Sequence, residues 1–527
     1  MRVGIISVFT DYHRRGRHHR GVLQPQIGPL LAALLPRDVE IDIVNDTWED
    51  PDWSRDYDLL LLSALHSEFD RARQISHYWR RRGAKTVLGG PLASTYPELC
   101  APYFDAVAVG DPESTVPAIY RDFAAGDLKR VYRAGPYEPH AVPVPRIDLV
   151  ARKQILPLAL EATRGCPFTC DFCTLTGLGT RYHTRAAKTI AAHLREAQAL
   201  LDGRVPRYKQ RLAVFHDNNI GGSPGFLRAL CDALAPMDLR WGGCVTFNML
   251  RDEAVLDMLA ASGCRLVYFG LETFNPVALA DMGKHQNVLA ETRNVIEACR
   301  DRGILPTAGL MLSPTMDTIE YIDRIPEHLR ECGLHVPTYI CFETPFPGTP
   351  YFKRLATASD TELLPDVLIR DLNGYNLAIR PRHATSEEFV AAYLRTHRAV
   401  YSLGTRLHKL ADDLLSFVPG GFLVPTLFDL FEMLVVERPR PKGRTYLAGA
   451  ERAPPDAASV PFTDDDFVSE AERAAILEPW PLTDARGRVL PHWLGGNPVY
   501  LPKGRVAPTA DATADGLQAP TIALQPG

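Results

Sequence analysis

The chain has 527 residues, too many for one ordinary domain, so about three units are expected. Hydrophobic residues make up 46% and charged residues 23%, ordinary for a soluble globular protein, and a net charge of −5 removes any bulk attraction to nucleic acid. The opening MRVGIISVF reads as a strand and not as a secretory signal, so the ten cysteines are expected to be free thiols or metal ligands of a cytoplasmic protein.

Residues 1–135 alternate short apolar runs with helix-like segments. Val3–Phe9, Glu40–Val44, Asp58–Ser63, Thr86–Leu88 and Ala106–Val109 suit a buried parallel sheet, with helical stretches such as Phe69–Arg82 between them. This alternation predicts an open, doubly wound α/β sheet, which binds ligands in loops beyond the carboxyl ends of its strands. Residues 136–155, with Pro136 and Pro145, read as a linker.

A second βα series follows over 156–360. Apolar residues recur at helical spacing at Ile190, Leu194, Ala197 and Leu201, at Phe226, Leu230 and Leu234, and at Val288, Val295, Ile296 and Cys299. Strand candidates between them are Leu212–His216, Cys244–Phe247, Arg265–Gly270, Thr307–Leu312 and Thr338–Glu343. Such units predict a full or partial (β/α) barrel with its chemistry on loops at the strand carboxyl ends. Residues 361–440 read as mainly helical, and 441–527, rich in Pro, Ala, Gly and Asp, as an irregular, partly disordered tail. The longest apolar region, Gly421 to Val436, is broken by Pro425, Asp429 and Glu432 and is too short and too charged to span a bilayer. It reads as a buried helix, with a membrane-surface or lipid-substrate contact as the alternative.

The chemistry concentrates in Glu161-Ala-Thr-Arg-Gly-Cys166-Pro-Phe-Thr-Cys170-Asp-Phe-Cys173. Chance gives the C-x3-C-x2-C spacing in about 0.4% of chains of this composition, so the spacing is a signal. Three thiolates on one short loop can each bind an iron of a cubane and leave the fourth iron without a protein ligand. A structural zinc site needs four closed ligands, and no fourth cysteine lies nearby.

This motif, with the aromatic Phe172 just before the third cysteine, resembles the radical S-adenosylmethionine (SAM) superfamily. The resemblance implies a [4Fe–4S] cluster held by Cys166, Cys170 and Cys173, whose fourth iron chelates SAM and opens it to a 5′-deoxyadenosyl radical. The protein then supplies geometry and water exclusion. Other positions resemble the family's SAM contacts. His216-Asp217-Asn218-Asn219 ends the second barrel strand, where the family holds the SAM amino group; a plain turn is the alternative. Glu272, at the end of the fourth strand, is expected at the ribose hydroxyls, or in an ordinary salt bridge. The loop from Pro345 to Pro350, with Gly348, resembles the adenine-side loop. Arg164 reads as a capping or electrostatic residue and not a catalytic one. Tyr339 and Cys341 read as core, with a substrate-radical role as the alternative.

In the first unit, Asp11-Tyr-His13-Arg-Arg-Gly16 follows the first strand, Ser63-Ala-Leu65 a later one, and Gly89-Gly90 the next. These resemble the motifs of the cobalamin-binding domain of methionine synthase and methylmalonyl-CoA mutase. The resemblance implies a Rossmann-like cobalamin domain in which His13 sits beneath cobalt and Asp11 orients it. Ser63, Leu65, Gly89 and Gly90 would make room for the nucleotide tail. His13 also lies in an Arg/His-rich loop, whose plainer role is solvated surface or anion contact. The whole order resembles the cobalamin-domain radical SAM group that contains hopanoid C-methylases and the anaerobic Mg-protoporphyrin monomethyl ester cyclase, over about residues 1–410.

That resemblance implies a cobalamin-dependent methyltransferase acting on an unactivated carbon of a small-molecule or lipid substrate, with flavodoxin or ferredoxin as electron donor. The close alternative is a cyclase or rearrangement enzyme without methyl transfer. A tRNA methylthiotransferase needs three N-terminal cysteines, yet the first here is Cys100, and the proline-rich tail lacks a basic RNA-binding pattern. From another class, a non-catalytic cobalamin or Fe–S sensor would form no 5′-deoxyadenosine.

Overall fold

The computed structural model describes residues 1–9, 25–358, 362–415, 460–496 and 499. Asp11, His13, Gly16, the apolar segment 421–436 and the last twenty residues lie outside them.

The first unit is a six-stranded sheet of β1 (Arg2–Ser7), β2 (Glu40–Asn45), β3 (Leu59–Ser63), β4 (Lys85–Gly89), β5 (Ala106–Val109) and β6 (Val131–Arg133), in the order β2-β1-β3-β4-β5-β6. Every neighbouring pair is parallel. The apolar runs exist because both faces are covered. Val3, Ile5, Leu59 and Leu61 enter one core, while Ile6, Leu60, Leu62 and Leu88 enter the other. Three-residue β6 is a strand that no apolar run predicted. The strand order reverses between β1 and β3, so their carboxyl ends flank the point where such sheets take ligands. Ser7 pairs with Ser63 and Ser63 with Gly89, placing the three in one row at that edge.

The second unit is another six-stranded parallel sheet: β7 (Leu158–Leu160), β10 (Leu212–Phe215), β11 (Arg240–Cys244), β12 (Cys264–Glu272), β13 (Leu305–Leu312) and β14 (Tyr339–Phe342), each beside the next. Between β7 and β10 the chain makes a small antiparallel ribbon of β8 (Thr163–Arg164) and β9 (His183–Thr184). Helices 187–201, 224–234, 253–261, 292–301 and 319–331 follow the strands, several opened by side-chain caps such as Ser223, Asp252 and Thr318. β11 starts earlier than expected and stops at Cys244; Phe247 opens a short helix, Phe247–Leu250. The strand holds two successive glycines, Gly242 and Gly243. A Cβ on Gly242 would lie 3.1 Å from the Leu266 Cβ, and the glycine permits close strand approach.

Residues 362–385, expected to be helical, are mostly irregular, and the helices are Ser386–Val400 and Leu403–Leu415. The stretch 460–496, expected to be an irregular tail, contains helix Glu470–Leu477 and packs on the first unit. Val460, Ile476, Leu482 and Trp493 join the core of Phe69 and Trp79. Every residue from Phe69 to Trp79 of helix Phe69–Arg80 is consequently buried, polar ones included. Arg73, fully buried, donates to the carbonyls of Ala475 and Glu478, and His77 shares a 2.7 Å hydrogen bond with the Asp466 carbonyl. Among the described residues no helix is long and apolar enough to cross a membrane.

Candidate functional site

The three cysteines sit on a loop that leaves β8 and returns through β9. Gly165 closes its base: φ is +79°, and a Cβ there would lie 2.1 Å from the Arg181 carbonyl oxygen. Cys166 and Cys173 are half-buried and Cys170 is buried; all are free thiols. The Cys173 N–H donates to the Cys170 carbonyl at 3.1 Å. Two amides aim at sulfur: Asn219 Nδ2 lies 3.7 Å from Cys166 Sγ and Gln286 Nε2 3.8 Å from Cys170 Sγ. Burial pushes the Cys170 and Cys173 thiols up, so metal must displace protons as it binds. Among the described residues no three His, Cys, Asp or Glu side chains are grouped around one metal ion. A cubane makes no such demand, because each thiolate takes its own iron.

Phe172 wedges between two short helices. Tyr351, Leu355, Leu363 and Ile379 pack on one side, and Ala278, Met282 and Met311 on the other. Its neighbour Asp171 donates its N–H to the Met282 carbonyl and accepts from the Tyr351 N–H and the Arg354 guanidinium. Gly348, at φ +92°, lies against the cluster loop, where a Cβ on Gly177 would come 3.0 Å from the Gly348 carbonyl.

The strand ends behave differently from one another. The buried Asp217 carboxylate accepts from the Ala162 and Thr163 N–H groups and from the Thr163 hydroxyl, bracing the entrance to the cluster loop. Burial pushes its carboxyl up to about 7 despite those bonds. Asn218 is exposed, and Asn219 carries the contact to sulfur. A sequence reading of the tetrad could not tell which member faces the loop. Glu272 adopts φ +69° at a register shift in β12, and its carboxylate pairs with Lys284, which stands 5.9 Å above the Phe172 ring. Gly270 leaves the space that pair fills, since a Cβ there would lie 2.1 Å from Glu272 Oε1. Burial opposes the Lys284 ammonium, but the charge and hydrogen bond of Glu272, with Cys170 and Cys244 nearby, together raise its pKa. Lys284 and Gln286 are site residues that carried no motif.

On the inner face of the barrel sheet, Tyr268 of β12 and Tyr339 of β14 meet hydroxyl to hydroxyl at 2.5 Å across Gly309, whose missing Cβ leaves room for the Tyr339 ring. Cys341 lies on the same strand and donates to the Leu310 carbonyl at 3.5 Å. Val267, Phe269, Ile340 and Phe342 point the other way, into the core beneath the helices.

At the first sheet's carboxyl edge, Leu65 is 53% exposed while Ser63, Gly89 and Gly90 are half-buried. Gly90 has φ +112°, and a Cβ there would lie 2.3 Å from the Ala64 carbonyl, so the loops after β3 and β4 touch. That edge meets the corresponding edge of the barrel sheet. Three contacts define the meeting: Arg164 of β8 with Asp111 and Glu113 after β5, Gly348 after β14 against Thr95 after β4, and Phe346 beside His66, ring centroids 6.0 Å apart.

Residues 160–329 match the family model described as the radical SAM superfamily. The bacteriochlorophyllide d C-8(2)-methyltransferase of Chlorobaculum tepidum is 26% identical over 334 residues, 61% of this chain and 74% of the relative. The C-12(1)-methyltransferase of the same organism is 23% identical over 371 residues, 69% of this chain and 78% of the relative. Among solved structures, the radical S-adenosylmethionine methyltransferase TsrM from Kitasatospora setae, bound to tryptophan substrate and aza-SAM, aligns with a TM-score of 0.54 at 16% identity. That alignment covers 94% of this chain and 98% of that one, a likeness of fold.

Proposed function

We propose that this chain, whose radical SAM domain spans residues 160–329, is a cobalamin-dependent radical SAM methyltransferase that alkylates an unactivated carbon of an apolar small molecule. The observation that carries the reading is the abutment of the carboxyl edges of two parallel sheets: Arg164, beside the cysteine loop, pairs with Asp111 and Glu113, and Gly348 lies against Thr95, on the edge that also carries the row of Ser63 and Gly89. When bound, the cluster with SAM supplies hydrogen abstraction and cobalamin supplies a methyl carrier.

The chain's own residues divide the remaining work. Cys166, Cys170 and Cys173 hold three irons, and the Asn219 and Gln286 amides stabilise negative charge on sulfur. Phe172 and Gly348 shape the adenine side, Asn218 lies at the strand end toward the SAM amino group, and Glu272, held by Lys284, faces the ribose. Asp217 keeps the loop entrance rigid. Exposed Leu65 with Ser63, Gly89 and Gly90 would border a corrin cofactor; Asp11, His13 and Gly16, outside the described residues, are its further sequence candidates, His13 as the cobalt ligand. The inner barrel face, closed by Tyr268 and Tyr339, takes the substrate. Both relatives are named for bacteriochlorophyllide d, so a tetrapyrrole is the first substrate to try. A flavodoxin or ferredoxin is the reductant.

The test is anaerobic purification from cobalamin-fed cells, metal analysis, and incubation with trideuteromethyl-SAM, dithionite and tetrapyrrole candidates. About four iron and about one cobalt per chain, 5′-deoxyadenosine, and label in the product are expected. Product without label points to cyclisation or rearrangement. Iron without cobalt ends the methyl-carrier reading, and absence of 5′-deoxyadenosine ends the enzyme reading.

A further inference from the structure

We infer that Arg164 is a positioning residue, a clamp that fixes the cluster loop of the barrel against the first sheet and so sets the separation of the two cofactor edges. Its guanidinium has five N–H groups, and the structure gives each a carboxylate oxygen. Nε and one terminal nitrogen grip Glu161, at 3.1 and 2.6 Å. The two terminal nitrogens grip Glu113, each at 2.9 Å, and one also reaches Asp111 at 2.9 Å. Tyr137 of the connection between the units lies 4.5 Å from the guanidinium, ring to cation.

Two features separate a clamp from a ligand site. With every donor committed to the protein, the side chain has nothing left for SAM or substrate. Its partners also come from different bodies. Glu161 follows β7 beside the cluster loop, whereas Asp111 and Glu113 begin the helix Pro112–Ala124 after β5 of the first sheet. Arg164 itself belongs to the ribbon that closes the loop, two residues before Cys166, so a shift of the first unit is transmitted directly to the cysteines. Three carboxylates around one cation repel one another unless that cation is in place, and Glu113 and Arg164 are only 7% and 15% exposed. A lysine cannot replace it, because a single ammonium cannot meet two carboxylates in bidentate fashion. The inference deepens the proposed function, since a separation between cofactor edges matters only if both reagents act on one substrate.

The experiment uses the full chain with its cluster assembled and Ala125→Cys, at the exposed end of the first unit's helix, carrying a nitroxide. The native cysteines are cluster ligands or wholly or partly buried. Pulsed EPR then measures the distance from the reduced cluster to the label in this parent and in Arg164→Gln, Arg164→Lys and Glu113→Gln. The parent is expected to give one narrow distance, and the variants a distribution wider by about twofold or more at unchanged iron content, as for loosely joined domains. A distribution as narrow as the parent's, in an iron-loaded Glu113→Gln chain, overturns the inference. So does loss of iron from that variant, because the contact would then be building the cluster loop and not placing it. Cobalt content of the same samples reports separately on the function: a cobalt-free parent with broadened variants leaves the clamp standing and removes the methyl carrier.

Discussion

The two sheets share size and parallel strands, yet they bury themselves differently. In the first, successive residues of β1, β3 and β5 are buried on both faces, so ligands can approach only the strand ends. In the second, β10 and β14 alternate buried and half-buried residues, so one of their faces is less completely covered. A doubly covered sheet offers an edge. A curved sheet offers an edge and a wall, and the wall is where Tyr268, Tyr339, Cys244 and Cys341 collect. Two parallel sheets of equal size thus present different surfaces, an edge alone in one unit and an edge with a partly uncovered face in the other.

The sharpest way to test this division is Cys170→Ala. It is expected to strip iron and lower 5′-deoxyadenosine formation about a thousandfold or more, with the melting of the first unit unchanged. Iron analysis and quantified 5′-deoxyadenosine decide it, and a first unit that melts with the cluster would break the comparison. Arg73→Ala attacks the other side. It strands buried Asp70 and the carbonyls of Ala475 and Glu478, with an expected cost of about 3–5 kcal/mol in denaturant titration. Early proteolytic release of 460–496 should accompany it, while reductive SAM cleavage in the surviving folded fraction is retained.

A subtler probe is pH. Glu68 braces the loop after β3 by accepting the Leu65 N–H at 2.6 Å, and burial pushes its carboxyl up to about 8. The folded chain therefore holds this proton more tightly than the unfolded chain does. The group's contribution to stability is fully present below the ordinary carboxylate range and is lost as pH rises through about 8. Glu68→Gln should flatten that part of the stability–pH curve, and an unchanged slope in chemical denaturation rules the assignment out. The smallest effect is expected from Tyr339→Phe. Loss of one hydroxyl contact costs less than about 1.5 kcal/mol of stability, but the wall reading requires KM for substrate to rise while KM for SAM stays put.

What could be read beforehand follows the same physics. Strands of the first sheet are legible because double burial demands unbroken apolar runs, as in Leu59–Leu62. The cysteine loop is legible because its chemistry fixes its spacing. Lys284 and Gln286 escaped notice, and Asn219 could not be singled out of its tetrad, because their roles depend on which side of a turn faces sulfur or Glu272. Arg164 was recognisable as electrostatic, but its partners Asp111 and Glu113 lie 53 and 51 residues away across a domain boundary. Phe69–Arg82 reads as a helix from the sequence, but only the packing of 460–496 explains why Arg73 and His77 are buried.

That covering segment carries a consequence for biosynthesis. The hydrogen bond between His77 and Asp466 spans 389 residues, which at ribosomal speeds of 5–20 residues per second corresponds to roughly 20–80 s. Through that interval a nascent chain presents the bare outer face of helix Phe69–Arg80, Phe69 and His77 included, with its cover still unmade. Maturation of the first unit is therefore coupled to synthesis of residues 460–496, and a chain cut short before residue 460 has a first unit with an uncovered flank, a substrate for chaperones and proteases.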